Sequence, residues 1–197
     1  MRRSVVRDVP VRLLTRKPSF RLRYSRGRIL VRRTLSGTEK DVNLFDFDML
    51  GLAPALNNNL KALGFKEPTP IQNKAIPLAM DGHDILGLAQ TGTGKTLAFG
   101  LPLINRLLDA PGKPDPKTCK ALILAPTREL VNQIADSLKT LTGGTPVRVS
   151  TVVGGQSINK QTAVLNRGTD ILVATPGRLS DLRERKASRL DQARYLV

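Results

Sequence analysis

The sequence predicts an α/β fold in which a parallel β-sheet is covered by helices on both faces. From residue 84 onwards, four short apolar runs alternate with segments that have helical periodicity. Uninterrupted apolar runs are typical of strands that are buried on both faces, and their alternation with helices is typical of a parallel sheet. A chain of 197 residues has room for one such domain and an additional tail.

The predicted domain begins near residue 43, where a basic segment gives way to a regular apolar pattern. Leucines at helical spacing between Leu50 and Leu63 predict an amphipathic helix that ends at Gly64, and a second short helix follows Pro70. Residues 193–197 resemble the opening of a fifth strand. The other predicted strands are 84–88, 121–125, 147–153 and 171–174, and the other predicted helices are 95–108, 128–141, 157–166 and 178–185.

The positive charge is concentrated at the beginning of the chain. The formal net charge is +16, and residues 1–33 carry +11 of it. We interpret residues 1–42 as a basic, disordered arm that attracts polyanions in a salt-dependent way. Three alternatives stay open from the sequence: a solvated leader without a partner, an Arg-rich targeting leader, and a natural start near Asn43.

Several classes of protein are excluded by the composition. No apolar run approaches the roughly 20 residues that a membrane-spanning helix needs. The single cysteine, Cys119, cannot form an internal disulfide, and the single histidine, His83, cannot form a zinc cluster. We therefore expect a cytoplasmic monomer that does not associate with membranes.

A phosphate-binding loop is predicted where the first strand of the domain meets a helix. Gly92 and Gly94 allow the backbone N–H groups to point at phosphate oxygens, and the start of the helix adds its positive dipole. A glycine-rich turn that merely caps a helix would explain both glycines, but not the Lys95-Thr96 pair after them. This site predicts nucleoside triphosphate binding, and the residues assigned to it are Ala89, Gln90, Thr91, Gly92, Thr93, Gly94, Lys95 and Thr96.

Five motifs resemble those of DEAD-box ATP-dependent RNA helicases, in the order and spacing of that family. Residues 64–72, Gly-Phe-Lys-Glu-Pro-Thr-Pro-Ile-Gln, resemble its Q motif, with an aromatic residue, Phe47, seventeen positions before Gly64. The phosphate loop resembles motif I, including the opening alanine. Ala-Pro-Thr-Arg-Glu-Leu at 125–130 resembles motif Ia, Gly154-Gly155 the GG motif, and Thr-Pro-Gly-Arg at 175–178 motif Ib. The overall sequence of these motifs is similar to that of the bacterial RhlE-like subgroup.

This resemblance implies a RecA-like first helicase domain that binds ATP with Mg²⁺. It implies that Gln72 pairs with the adenine edge, with Phe47 and Phe65 at the base, because a glutamine amide offers both a donor and an acceptor. From the residues alone, a core aromatic and a surface glutamine explain Phe47 and Gln72 equally well. Lys95 is expected to reach the β- and γ-phosphates, and Thr96 to ligate Mg²⁺.

The remaining motifs follow predicted strands, so they are expected to gather at the carboxyl edge of the sheet. Thr127 and Thr175 suit helix N-caps, and Pro176 suits a first helical turn. Helix N-termini, glycine backbone and arginine side chains bind nucleic-acid phosphates without reading bases. The choice of RNA as the nucleic acid rests on the family resemblance. The assigned RNA-binding residues are Pro126, Thr127, Arg128, Glu129, Gly154, Gly155, Thr175, Pro176, Gly177 and Arg178.

The family's motif II and second domain do not appear in the chain. The resemblance places the motif II strand beside the phosphate-loop strand, so we expect an open sheet edge, poor solubility and no ATP hydrolysis by this chain alone. Two rivals stay open: a non-catalytic RNA binder that works through its basic arm, and a different P-loop enzyme such as a DNA-directed ATPase.

Overall fold

The computed structural model describes residues 24–25, 28–29, 46–90, 92–110 and 112–197. Strands β1 (Tyr24–Ser25) and β2 (Arg28–Ile29) form a two-residue antiparallel pair. The rest of the predicted arm, 1–42, lies outside the described residues. Its disorder therefore stays a prediction.

The domain opens with a 3₁₀ helix at Phe47–Leu50, which is followed by six α-helices. The predicted stop of the first helix at Gly64 is confirmed. Gly64 has a φ of +77°, and the Phe65 N–H donates to the Leu60 carbonyl at 3.0 Å, which closes a Schellman turn. In the described part of the chain, no helix is long and apolar enough to cross a membrane. The helices are α1 (Pro54–Ala62), α2 (Pro70–Met80), α3 (Lys95–Asp109), α4 (Arg128–Leu141), α5 (Ile158–Leu165) and α6 (Pro176–Glu184).

Four strands form a parallel sheet in the order β4-β5-β3-β6. The register pairs Ile123 with Val173 between the two central strands, and Thr151 with Val173 on the other side. Because the strands are parallel, the segments that follow β3, β4 and β5 emerge at one edge, as predicted. The strands are β3 (Cys119–Leu124), β4 (Val149–Val152), β5 (Thr169–Ala174) and β6 (Tyr195–Leu196).

Each face of the sheet has its own hydrophobic core, so the prediction of helices on both faces is confirmed. One core joins Ile123 and Val173 to helices α1 to α4. The other joins Leu122 and Leu172 to α5 and α6. Cys119 belongs to the second core, and burial raises the pKa of its thiol to about 11.

The predicted strand at 84–88 is wrong. The segment is in no strand, and its Leu86 and Leu88 are 70% and 68% exposed. A strand needs a neighbour to accept its backbone hydrogen bonds, and an apolar run does not supply one. In the described residues the sheet ends at β6, whose two residues pair with β3.

Candidate nucleotide site and nucleic-acid interface

The predicted phosphate loop lies at the start of α3. Gly92 and Gly94 have φ values of +81° and +87°, a backbone region that favours glycine, and Gly94 is the N-cap of the helix. The Lys95 Nζ donates to the Ala89 carbonyl at 2.6 Å, so the ammonium group folds back across the loop. Backbone donors, a helix start and a lysine converge here, and this combination fits the phosphates of a nucleotide.

The loop is held from one side by the start of α2. Thr69 Oγ1 donates to the Thr93 carbonyl at 2.8 Å, and Gln72 Nε2 donates to the Gly94 carbonyl at 3.0 Å. The Gln72 Oε1 accepts from the Thr69 N–H at 2.9 Å. A Cβ on Gly94 would overlap the Gln72 amide, so this contact requires glycine. Gln72 is 3% exposed and lies under the loop, with both ends of its amide bonded to protein.

The two aromatic residues assigned to the base differ in exposure. Phe47 is 3% exposed and belongs to the core, whereas Phe65 is 41% exposed. Their rings meet edge to face, with centroids 6.5 Å apart. Phe65 is therefore the ring of this pair that a nucleotide can reach in the structure.

The other loop residues have more local roles. Thr93 Oγ1 donates to the Gln90 carbonyl at 2.8 Å. Thr96 lies half-buried in the first turn of α3, and Thr91 lies outside the described residues. Among the residues that the structure describes, no group of three or more His, Cys, Asp or Glu side chains is arranged to hold a metal ion.

The motif Ia segment follows β3 and opens α4. Thr127 is the N-cap, and its Oγ1 accepts from the Leu130 N–H at 3.2 Å, as predicted. Glu129 lies exposed in the first turn, where its own backbone N–H and the Thr127 hydroxyl lower the pKa of its carboxyl group. Pro126 and Arg128 flank this cap, and both are exposed.

The GG motif follows β4, and motif Ib follows β5. Gly155 has a φ of +74°, and a Cβ there would overlap the Arg128 guanidinium, so motif Ia and the GG motif are in contact. Pro176 occupies the first turn of α6 as predicted, and Gly177 is exposed beside it. Thr175 is the N-cap of α6 as predicted, although its side chain makes no capping hydrogen bond.

Arg178, the arginine of motif Ib, is bonded to other residues of the domain. Arg178 Nη1 donates to the Gln156 carbonyl at 3.0 Å, and its Nε lies 3.8 Å from Asp181 Oδ2. Its side chain is 11% exposed. The structure thus brings Gly154–Gln156, Arg128 and Arg178 together at the carboxyl edge of the sheet.

The sequence interpretation missed Gln161 of α5. It is 5% exposed, and its Nε2 donates to the Val153 carbonyl at 2.9 Å, directly before the GG motif. One signal was available in the sequence, because Gln161 shares a helix face with the apolar residues Ile158 and Leu165. A polar residue on an apolar face indicates a buried hydrogen bond.

An α/β domain in which a glycine-rich loop and a lysine lie at the start of a helix is a P-loop nucleotide-binding domain. Comparison with known protein families shows which kind of P-loop domain this is. The family model of the DEAD/DEAH box helicases matches residues 69–197. The chain therefore belongs to the DEAD/DEAH box helicase family.

Individual relatives agree with this assignment. The ATP-dependent rRNA helicase rrp3 of Emericella nidulans is 42% identical over 165 residues, which is 83% of this chain and 34% of that protein. The RNA helicase Prp28 from Chaetomium thermophilum, solved with ADP bound, is 42% identical with a TM-score of 0.71 over 77% of this chain and 37% of its own. A DEAD box protein from Methanococcus jannaschii is 36% identical, with a TM-score of 0.69 over 77% and 40% of the two chains. This chain thus spans between a third and two fifths of the length of these relatives.

Proposed function

We propose that this chain is the nucleotide-binding part of an ATP-dependent RNA helicase. The observation that carries the proposal is the geometry of the phosphate loop. Its glycines and Lys95 lie at the start of α3, and Thr69 and Gln72 donate hydrogen bonds to its backbone. The relatives named as RNA helicases support the choice of RNA as the substrate. The assignment to the RhlE-like subgroup, the cytoplasmic location and the monomeric state are part of the same proposal.

In this proposal ATP binding rearranges contacts that the loop makes with itself. The Lys95 ammonium leaves the Ala89 carbonyl for the β- and γ-phosphates, a stronger, charge-assisted partner. The Gln72 amide, bonded once at each end to Gly94 and Thr69, keeps one N–H and one oxygen lone pair with which to pair with adenine. The energy of base recognition is therefore coupled to the shape of the loop.

A Mg²⁺ ion fits this site only together with the nucleotide. Thr96 offers one hydroxyl ligand, and the described residues hold no cluster of three metal-binding side chains. Magnesium is commonly held by substrate phosphates, waters and one or two protein groups. Without carboxylates arranged to position a metal and a water, we expect nucleotide binding without turnover by this chain alone.

For the nucleic acid, we propose sequence-independent contacts with the phosphate backbone. The exposed Arg128 guanidinium, the Gly154-Gly155 backbone and the start of α6 lie along one edge of the sheet. Such groups bind phosphates and carry no base readout. In the complete helicase, this edge would hold one strand while ATP closes the second domain.

One observation favours a second candidate, a non-catalytic RNA binder that works through the basic arm. Residues 1–33 hold +11 of the net charge of +16. Deleting residues 1–40 separates the two candidates. If the domain binds single-stranded RNA by itself, the affinity falls but a salt-dependent component persists; if the arm alone binds RNA, the affinity is abolished.

The decisive experiment titrates a fluorescent ATP analogue with Mg²⁺ into the wild-type chain and the Lys95→Ala variant. We expect the dissociation constant to rise by about tenfold to a hundredfold, because the variant loses a charge-assisted hydrogen bond to phosphate. Fluorescence anisotropy measures the binding.

The matched control is Lys139→Ala, which removes an exposed lysine of α4. Its nucleotide affinity should equal that of the wild type. Equal binding by the Lys95→Ala variant would contradict a nucleotide site at this loop. Phosphate release from ATP by the pure wild-type chain would contradict the expectation of binding without turnover.

A further inference from the structure

The turn between β4 and α5 is held at both ends by side chains from helices. At its beginning, Gln161 Nε2 donates to the Val153 carbonyl at 2.9 Å. At its end, Arg178 Nη1 donates to the Gln156 carbonyl at 3.0 Å. Two hydrogen bonds that bracket four residues leave the backbone between them little freedom. The turn is therefore placed by α5 and α6 together.

The Arg128 side chain packs against the surface of this turn. The Arg128 guanidinium occupies the space that a Cβ on Gly155 would fill, so the side chain crosses the turn at its tip. The left-handed φ of +74° at Gly155 aims the missing Cβ position at Arg128. A shift of the turn therefore changes the position of the guanidinium.

Arg178 is poorly placed to be a phosphate ligand itself. Its side chain is 11% exposed, and its charge faces Asp181, 3.8 Å from the Nε. Asp181 also binds Arg185, with 2.6 Å between Asp181 Oδ1 and the Arg185 Nε. Leaving these partners for an RNA phosphate would cost Arg178 a hydrogen bond and a half-buried ion pair. Its geometry suits holding the backbone.

Gln161 satisfies the buried Val153 carbonyl and leaves its own amide oxygen without a partner among the described residues. The residue is 5% exposed. A buried acceptor without a partner is destabilising; leucine of similar volume would remove the amide oxygen but would leave the Val153 carbonyl without its donor. The feature that a glutamine adds at this position is its amide nitrogen, which donates to the Val153 carbonyl at 2.9 Å and to Gln156 Oε1 at 3.5 Å. A role in fixing the turn accounts for a residue that packing alone disfavours.

We propose that Gln161 and Arg178 are positioning residues, which fix the turn Val153–Gln156 so that Arg128 is held ready for an RNA phosphate. This inference rests on the proposed function, because it needs Arg128 to bind RNA. It changes the role of Arg178 from a direct ligand to a support, and it adds Gln161, which belongs to none of the five motifs. The three RNA motifs then act as one unit.

A double-mutant cycle tests the inference on the full chain, with a labelled single-stranded oligouridylate as the probe. The variants are Gln161→Leu and Arg178→Lys, each made in the wild type and in an Arg128→Gln background. In the wild type, we expect each to weaken RNA binding about fivefold, the equivalent of about one hydrogen bond. In the Arg128→Gln background, we expect no further loss, since the guanidinium that they position is gone.

The cycle distinguishes positioning from a merely structural or charge effect. Gln161→Leu lowers the melting temperature, because the buried Val153 carbonyl loses its donor, but it should leave the affinity for a fluorescent ATP analogue unchanged while RNA binding falls. Arg178→Lys keeps the charge, so its expected loss separates geometry from electrostatics. Matched controls are Gln133→Leu, at an exposed glutamine of α4, and Arg183→Lys, at an exposed arginine near the other end of α6. Both should bind RNA as the wild type does.

The outcomes separate this inference from the function on which it rests. If Arg128→Gln weakens RNA binding but the Gln161 and Arg178 variants do not, the positioning role is wrong and the proposed function stands. Losses that add in full to that of Arg128→Gln also overturn the positioning role. If Arg128→Gln itself binds RNA normally, the RNA site at this edge is wrong, and the inference falls with it.

Discussion

Two glycine turns of this domain lead into helices, and they are supported in opposite ways. The GG turn leaves β4, which is paired along its length with β5, and it enters α5. The phosphate loop leaves residues 84–88, which are in no strand, and it enters α3. Both turns contain a glycine with positive φ, +74° at Gly155 and +87° at Gly94. The two turns share a glycine with positive φ, but one follows a paired strand and the other follows a segment that is in no strand.

The phosphate loop keeps its shape because a neighbouring helix replaces the missing strand. Thr69 and Gln72 at the start of α2 donate to the carbonyls of Thr93 and Gly94. Side chains of a neighbouring helix can thus fix a loop whose preceding residues, 84–88, are in no strand. A phosphate-binding conformation therefore depends on the helix that packs against the loop as well as on the segment that leads into it.

The largest expected difference between the two regions is in amide hydrogen exchange. In the described part of the chain, β5 is hydrogen-bonded on both sides, whereas residues 84–88 donate no backbone hydrogen bond. We expect amides of 171–173 to exchange at least about a thousandfold more slowly than those of 84–88. Mass spectrometry of exchanged peptides measures this. Comparable protection of 84–88 would show that the segment pairs in solution, for example with the open edge of a second copy.

A smaller but clear difference is expected between two leucine truncations. Leu172 of β5 is 1% exposed, and Leu86 is 70% exposed. Leu172→Ala should lower the free energy of unfolding by about 3 kcal/mol, because it leaves a cavity in a packed core. Leu86→Ala should change it by less than about 0.5 kcal/mol. Urea unfolding followed by circular dichroism compares the two variants, and equal losses would contradict the exposed position of Leu86.

The smallest expected effect concerns the end of α6, on the well-supported side of the domain. Lys186 has a φ of +56° and closes a Schellman turn, in which its N–H donates to the Arg183 carbonyl at 2.9 Å. Glycine is favoured at this position, so Lys186→Gly should raise the free energy of unfolding by about 0.5–1 kcal/mol. The control, Glu184→Gly within the helix, should lower it by a similar amount. A lower stability for Lys186→Gly would contradict the left-handed conformation, and neither variant should alter exchange at 84–88.

Features that depend on near neighbours along the chain follow from the amino-acid sequence. The helix periodicity of 128–141 predicts α4 at its observed bounds, and Gly64 predicts the end of α1. The Thr127 cap and the glycine-rich start of α3 follow in the same way, because a cap is made within one turn of its helix. The order of the motifs along the chain also indicated the family.

Features that depend on distant residues are set by the packing of the folded domain. An apolar run becomes a strand when another strand lies beside it; in the described part of the chain β5 has such a neighbour and 84–88 has none. Burial placed Phe47 in the core and left Phe65 accessible. The contact between Arg128 and Gly155, and the bonds from Gln161 and Arg178 to the same turn, join segments that the sequence keeps apart. The physical reason is that packing and strand pairing select partners in space, whereas caps and periodicity act locally.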